Sequence, residues 1–208
     1  SIQSSLEYLD NKLQVPSPNW GLLGEATLAS PLAVSEDRPY GGLFHSVPGA
    51  LNTKNTQERD RLLTSVQLTQ QWTSDLTSRA TIGYNTTLNT EIRFAEQGKT
   101  LNWPTGLREV RQKNGRLITL DFSTAWETQI SESLGSSFTV GAQSFWENSR
   151  EDVSGVQDFP APGLKTLRGA SSVYLVDEFS VETINAGIFG QEQLSFNDRI
   201  FLTLGLRL

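Results

Sequence analysis

The stretch FNDRIFLTLGLRL, Phe196 to Leu208, decides the fold class. From Ile200 every second residue is aliphatic: Ile200, Leu202, Leu204, Leu206 and Leu208. Phe201, Thr203, Gly205 and Arg207 lie between them. A period of two is the pattern of an extended strand with one greasy face and one mixed face.

The same period recurs upstream. Leu62, Val66, Leu68 and Trp72 alternate with Ser65, Gln67 and Thr69. Further segments run from Leu76 to Tyr84, Ile118 to Ile130, Leu134 to Ala142 and Ile184 to Phe196. A weaker one at the start carries Ile2, Leu6 and Tyr8. The segments predict about six to seven strands of ten residues or so, longer than the usual five to six. That length suits a tilted strand crossing a bilayer.

The connections alternate in length. Trp72-Thr-Ser-Asp-Leu76, Ile130-Ser-Glu-Ser-Leu134 and Phe196-Asn-Asp-Arg-Ile200 share one design: a bulky apolar residue, three polar residues, an aliphatic residue. The spacing of four returns both flanking residues to one face, and Asn, Asp and Ser favour the turn. The other connections are expected to be long loops, at about residues 10–60, 89–116 and 147–178. Short turns alternating with long loops are the habit of outer-membrane barrels. Within the first loop, Ser17 and Pro18 predict a short capped helix that Pro31 stops.

Composition narrows the function classes. The chain has 208 residues, 37% of them apolar, and no apolar run long enough for a transmembrane helix. It has no Cys, which excludes thiol catalysis, Cys-based metal sites and disulfides. A net charge of −6 argues against nucleic acid as a partner. No Met occurs, even at position 1, so the chain reads as a piece of something longer, cut at its C-terminus through a strand.

Two architectures place the alternating apolar face. In a soluble or surface-exposed β-sandwich, a binding or adhesion module, it meets a second sheet. In a membrane barrel it meets lipid, and the polar face lines the interior. Strand length, the small uncharged polar face and the rings near strand ends favour the barrel. The expected lipid-facing residues are Leu68, Ile82, Leu120, Phe138, Val140, Ile188, Leu202, Leu204 and Leu206. Trp72, Tyr84 and Phe196 are expected at the membrane interfaces, where a ring with one polar edge is favoured. Trp126, four residues before its turn, fits such a girdle less well. Glu192 falls on the lipid face near a turn, where a carboxylate costs little. Gly83, Gly141, Gly187 and Gly205 fall on the interior face, leaving room for a plug or for curvature.

The ordered residues also carry a resemblance. FGQEQLSFNDRIFLTLGLRL, with DRPYGGLFHSVPGAL (Asp37 to Leu51) and DFPAPGLKTL (Asp158 to Leu167), resembles the barrel of the SusC/RagA family of TonB-dependent outer-membrane transporters. The resemblance covers about Leu6 to Leu208. It implies an antiparallel up-and-down transmembrane β-barrel of 22 strands in the whole family member. It also implies an N-terminal plug, energising by TonB, a SusD-like surface lipoprotein, and import of glycan or peptide oligomers. This sequence shows no plug and no TonB box, and seven strands cannot enclose so wide a lumen. It is therefore expected to be one incomplete part, 1–208, of a single barrel domain, with membrane lipid and the rest of its own barrel and plug as neighbours.

Candidate chemistry is sparse. His45 is the single histidine and reads as a solvated loop residue; a Ser–His–acid hydrolase would rest on it alone. Glu91, Glu96, Glu109, Glu147, Glu151 and Asp152 lack the spacing of a calcium loop. No catalytic residue, metal or cofactor is expected. Trp103 is a candidate for stacking on a sugar, against the alternative that it packs its own loop. Arg108 shares a basic run with Arg111, Lys113 and Arg116, which could meet anionic headgroups or simply balance the acidic chain.

Overall fold

The computed structural model describes residues 1–14, 27, 29–36, 41, 52–100, 103–197 and 199–208. Seven strands form one antiparallel sheet, each paired with its neighbours in sequence. They are β1 (Ile2–Gln14), β2 (Thr53–Gln71), β3 (Leu76–Ala95), β4 (Leu107–Ser131), β5 (Leu134–Gln157), β6 (Ser172–Phe196) and β7 (Ile200–Arg207). The sheet is an unclosed, up-and-down segment with an open edge at β1 and another at β7. Among the described residues no second sheet exists, so the sandwich reading falls.

Register explains the two faces. Almost everywhere, even-numbered residues stand opposite even-numbered residues. One row runs Ile2, Leu68, Ala80, Phe122, Ala142, Ile188 and Leu208. Another runs Val66, Ile82, Leu120, Ser144 and Ala186. Side chains alternate along each strand, so the even residues share one face of the sheet and the odd residues the other.

The strands outrun the sequence expectation. The connections expected at 89–116 and 147–178 shrink to residues 96–106 and 158–171, and β1 and β2 extend to Gln14 and Thr53. Beyond Tyr84 and Ile118 the even face becomes mixed, with Thr86, Arg116, Asn148 and Glu182 in one row and Leu88, Ile92 and Val176 farther out. With both faces mixed the alternation weakens, yet the backbone ladder continues. Cross-strand pairs support it: Arg111 to Glu151 at 2.8 Å, Arg150 to Glu178 at 3.2 Å, Gln57 to Asn89 at 3.0 Å, and Lys12 to Glu58.

The three tight turns are not identical. Trp72 donates its N–H to Leu76 O at 2.9 Å, and Phe196 pairs with Ile200, so these two keep three-residue loops. Asn197 sits at φ 49°, a left-handed conformation that Asn tolerates better than most residues. The middle turn is tighter: Ser131 pairs with Leu134 after a bulge between Gln129 and Ser131. A bulge adds a residue without altering the apolar pattern, so the sequence does not reveal it.

The helix expected after Ser17, the run Asp37 to Leu51 and His45 lie outside the described residues, apart from a few isolated positions. Pro31 opens a 3-10 turn, Pro31–Ala33, in which the Ser30 hydroxyl oxygen accepts from Leu32 N–H at 3.3 Å.

Candidate functional site

Two surfaces could carry function: the apolar even face, and the polar odd face with its rim. The even face comes first. All nine residues expected to face lipid lie on it and are exposed, for example Leu120 at 50% and Leu204 at 62%. On β3 the band runs from Leu76 to Tyr84, nine residues or roughly 26 Å along the strand. Rings mark both ends. Trp72 and Phe196 are exposed at the tight-turn end. Trp126 stands directly opposite Leu76 and Phe138, in the row of the first turn. The stagger between neighbouring hairpins, invisible along one strand, brings Trp126 into that ring row. At the other end stand Tyr84, Trp146 and Tyr8. Trp146 donates its indole N–H to Glu182 at 2.7 Å, and Tyr8 its hydroxyl to Asp60 at 3.4 Å. Trp146 was not singled out in the sequence. It occupies the same row as Tyr84 and Ile118.

Glu192 lies on the even face, where Ser136 donates its hydroxyl to the carboxylate. That bond satisfies the one acid on the ring row beside Phe138.

The odd face is mainly polar, with scattered apolar residues such as Phe179, Val181 and Phe201. Near mid-sheet Gln143 bridges two charges: its amide N–H reaches Asp121, and its carbonyl accepts from Arg207 at 2.9 Å. Arg61 donates to Asn85 at 3.2 Å. The four glycines expected on this face are there by register. At Gly83, Gly141 and Gly187 the space beside is taken by cross-strand neighbours, whereas at Gly205 a Cβ would meet nothing nearer than Gly190 O at 3.7 Å. A Cβ on Gly141 would meet the Phe189 ring at 2.5 Å, and one on Gly83 the Thr119 hydroxyl at 2.5 Å.

The rim, at the ends of β3 to β6, holds the most buried cluster among the described residues: Phe94, Ala95, Leu107, Val153, Val156 and Phe159. Phe94 and Phe159 meet edge to face at 6.4 Å between centroids. Gly106, at φ 88°, lets Phe159 lie close; an added Cβ would sit 2.8 Å from its ring. Thr105 and Asp158 tie the two connections together through a side-chain bond of 2.7 Å, and Phe159 N–H to Thr105 O adds a second at 2.8 Å.

Below this cluster the odd face carries linked charges. Arg93 lies 3.9 Å from Glu109, and Arg111 reaches both Glu109 and Glu151. Tyr174 donates to Glu109 at 2.7 Å. Its hydroxyl is held well above the usual phenol range, first by burial and then by the hydrogen bond to Glu109. Tyr174 is the extra residue of a bulge, since Gly155 pairs with Leu175 and Val156 with Val173. The bulge re-aims the ring, and Gly155 leaves space for it. An added Cβ there would sit 2.7 Å from the ring.

Trp103 caps this strip. Its ring centroid lies 4.4 Å from the Arg93 guanidinium carbon, and its carbonyl accepts from Gly106 N–H at 2.9 Å. It therefore packs within its own loop. Arg108 does not join it. Arg108 pairs in register with Phe94 and Val156, on the even face. The basic run is split by strand alternation: Arg108 and Arg116 on the even face, Arg111 and Lys113 on the odd. Arg93 and Tyr174 carry no signal in the sequence, because their meeting depends on register and a bulge. Among the described residues no cluster of three or more metal-ligating side chains forms.

Residues 7–208 match the family described as TonB dependent receptor-like, beta-barrel. Two solved structures are similar in fold. "Structure of the RagAB peptide transporter" has a TM-score of 0.71 and 14% identity, covering 76% of this chain and 18% of that one. "Structure of the RagAB peptide importer in the 'closed-closed' state" has a TM-score of 0.76 and 10% identity, covering 99% and 25%. The chain thus spans a quarter or less of those chains. No curated protein matches it.

Proposed function

The chain belongs to the TonB-dependent receptor-like β-barrel family, and on that premise we propose that it is part of the wall of an outer-membrane transporter that imports nutrient oligomers, peptides or glycans. The observation that carries the reading is the separation of faces: a continuous exposed apolar band, ringed at both ends, on the back of a mixed, mainly polar face. A soluble protein rarely exposes so large an apolar surface. Lipid solvates the even face, with Trp72, Tyr84 and Phe196 at the interfaces. The odd face lines the lumen against the plug. The open edges at β1 and β7 pair with the remaining strands of the barrel, since an unpaired edge in hydrocarbon is not viable. TonB supplies the energy and a SusD-like lipoprotein the lid.

Solute meets the upper odd face, where Trp103, Arg93, Glu109 and Arg111 stand together. Arg108, on the outer side, takes no part. The mixed charge of this strip suits a peptide, and the similar structures bear peptide-transporter titles.

The test uses the absence of native cysteine in this segment. Single cysteines replace Ile82, Leu120, Thr81 and Thr119 in the full-length protein in outer membranes. The first two should react with a lipid-soluble maleimide and resist a charged one; the last two should do the reverse. Equal labelling of all four by the charged reagent would sink the proposal.

A further inference from the structure

The apolar band is not evenly filled. Near its middle the bulky side chains give way to Ala80, Ala142, Ser144 and Ala186, leaving a cavity of about 770 Å³ walled by Phe122 and Ile188, among others. Asp121 and Gln143 reach its lining from odd positions, and they are bonded to each other. Most of the lining is apolar, so the space suits hydrocarbon.

Directly up β4 from this hollow, on the same face, stands Arg116, six residues beyond Phe122. At about 3.3 Å per residue that is roughly 20 Å along the strand. A strand tilted by about 40° turns this into roughly 15 Å of depth, half of a hydrocarbon core about 30 Å thick. Ala80, opposite Phe122, is the midpoint of the Leu76–Tyr84 band. With that band centred on the bilayer, the hollow lies at mid-depth and Arg116 at headgroup depth on the side of the long connections, the outer side in barrels of this kind.

Five cations lie on the even face of the described strands: Lys12, Lys54, Arg108, Arg116 and Arg150. Lys12 is paired with Glu58, and Arg150 with Asp152 and Glu178. Lys54 and Arg108 stand in one row near the rim, eight residues beyond Arg116 along β4. Arg116 has no ion-pair partner among the described residues. Its row neighbours are Thr86 and Asn148, both hydrogen-bonding groups, and the rings of Tyr84 and Trp146 lie one row below. The acids nearest in register, Asp60 and Glu182, stand about two strand spacings away, on the order of 10 Å. Glu182 is already engaged by Trp146.

We propose that the Arg116 row and the alanine-floored hollow below it form a seat for one phosphate-bearing lipid of the outer leaflet, the phosphate on Arg116 and Asn148 and an acyl chain in the hollow. A phosphorylated glycolipid of the lipid A type is the occupant, because Arg116 stands at outer-leaflet height. This rests on the even face being the lipid face, as proposed above.

The full-length transporter, purified in mild detergent and mixed with lipid A, is read by native mass spectrometry for bound lipid. R116Q should lower retained lipid A about five-fold, the worth of one cation at an anionic lipid surface. A142F, which fills the hollow but keeps it apolar, should lower it as well. R150Q, on the same face but already paired, should leave it unchanged. Unchanged retention in both R116Q and A142F would overturn the seat, as would equal retention of phosphatidylglycerol. The cysteine labelling above is independent: if it succeeds while this experiment fails, the membrane reading stands and only the lipid seat falls.

Discussion

At the scale of single residues, the sharpest constraints are close approaches that only one residue type permits. Gly141 lies against the Phe122 carbonyl as well as the Phe189 ring; a Cβ would stand 2.6 Å from that oxygen. Backbone cannot move aside as a flexible side chain can. G141A should therefore destabilise the folded barrel by about 1–3 kcal/mol, read from urea midpoints in detergent. Gly155 makes the same kind of allowance for Tyr174, and here the consequence is measurable as a titration. The Tyr174 hydroxyl is raised above its ordinary 10.0 by burial and by its bond to Glu109. A raised group keeps its contribution to stability fully below its unfolded value and loses it as pH climbs through the folded one. The Tyr174–Glu109 contact should thus persist up to about pH 10 and fail only above it. Ultraviolet titration should show a late-ionising tyrosine phase that Y174F removes in part and G155A shifts earlier. An undiminished late phase in Y174F would count against the assignment.

At the scale of elements, Asn197 marks the turn between β6 and β7 by its positive φ. A β-branched residue there pays the left-handed penalty, so N197V should cost about 1–2 kcal/mol while N197G is tolerated, measured by the same unfolding midpoints. The elements also show what could be read in advance. The segments around Leu68, Ile82, Leu120, Phe138 and Leu204 were legible because one face is apolar and the other mainly polar, and period two follows from that difference. The strands' outer halves were not, because Arg111, Glu151, Asn89 and Arg150 give polar residues to both faces alike. Those stretches resemble loops in composition and are strands by pairing. Trp103 and Arg108, five apart in sequence, looked like neighbours in one loop; a strand start at Leu107 sends Arg108 to the opposite side. The bulges at Gln129/Ser131 and Gly155/Val156 left no trace in hydropathy at all.

At the scale of the whole molecule, stability does not come from a central core. The most buried apolar group among the described residues sits at the rim, around Phe94, Leu107 and Phe159. The rest of the sheet is held by its ladder, its cross-strand pairs and whatever medium solvates the even face. That arrangement predicts an asymmetry between faces. In vesicles, L120R should cost about 2–4 kcal/mol, the penalty for arginine near a bilayer midplane, whereas T119R, one residue away on the polar face, should cost far less. Equal costs for the two would contradict a lipid-facing even surface.

The pairing of even-numbered with even-numbered residues from β1 to β7 has a genetic corollary. The wall keeps a reading frame of two. Losing or gaining one codon within the banded part of any strand would exchange inside for outside in the rest of that strand, turning leucines to the lumen and glutamines to lipid. Length variation among descendants of this gene should therefore occur in steps of two within the wall. Odd steps should collect at the rim, beyond Ala95 and Gln157, where the connections begin and the frame no longer matters.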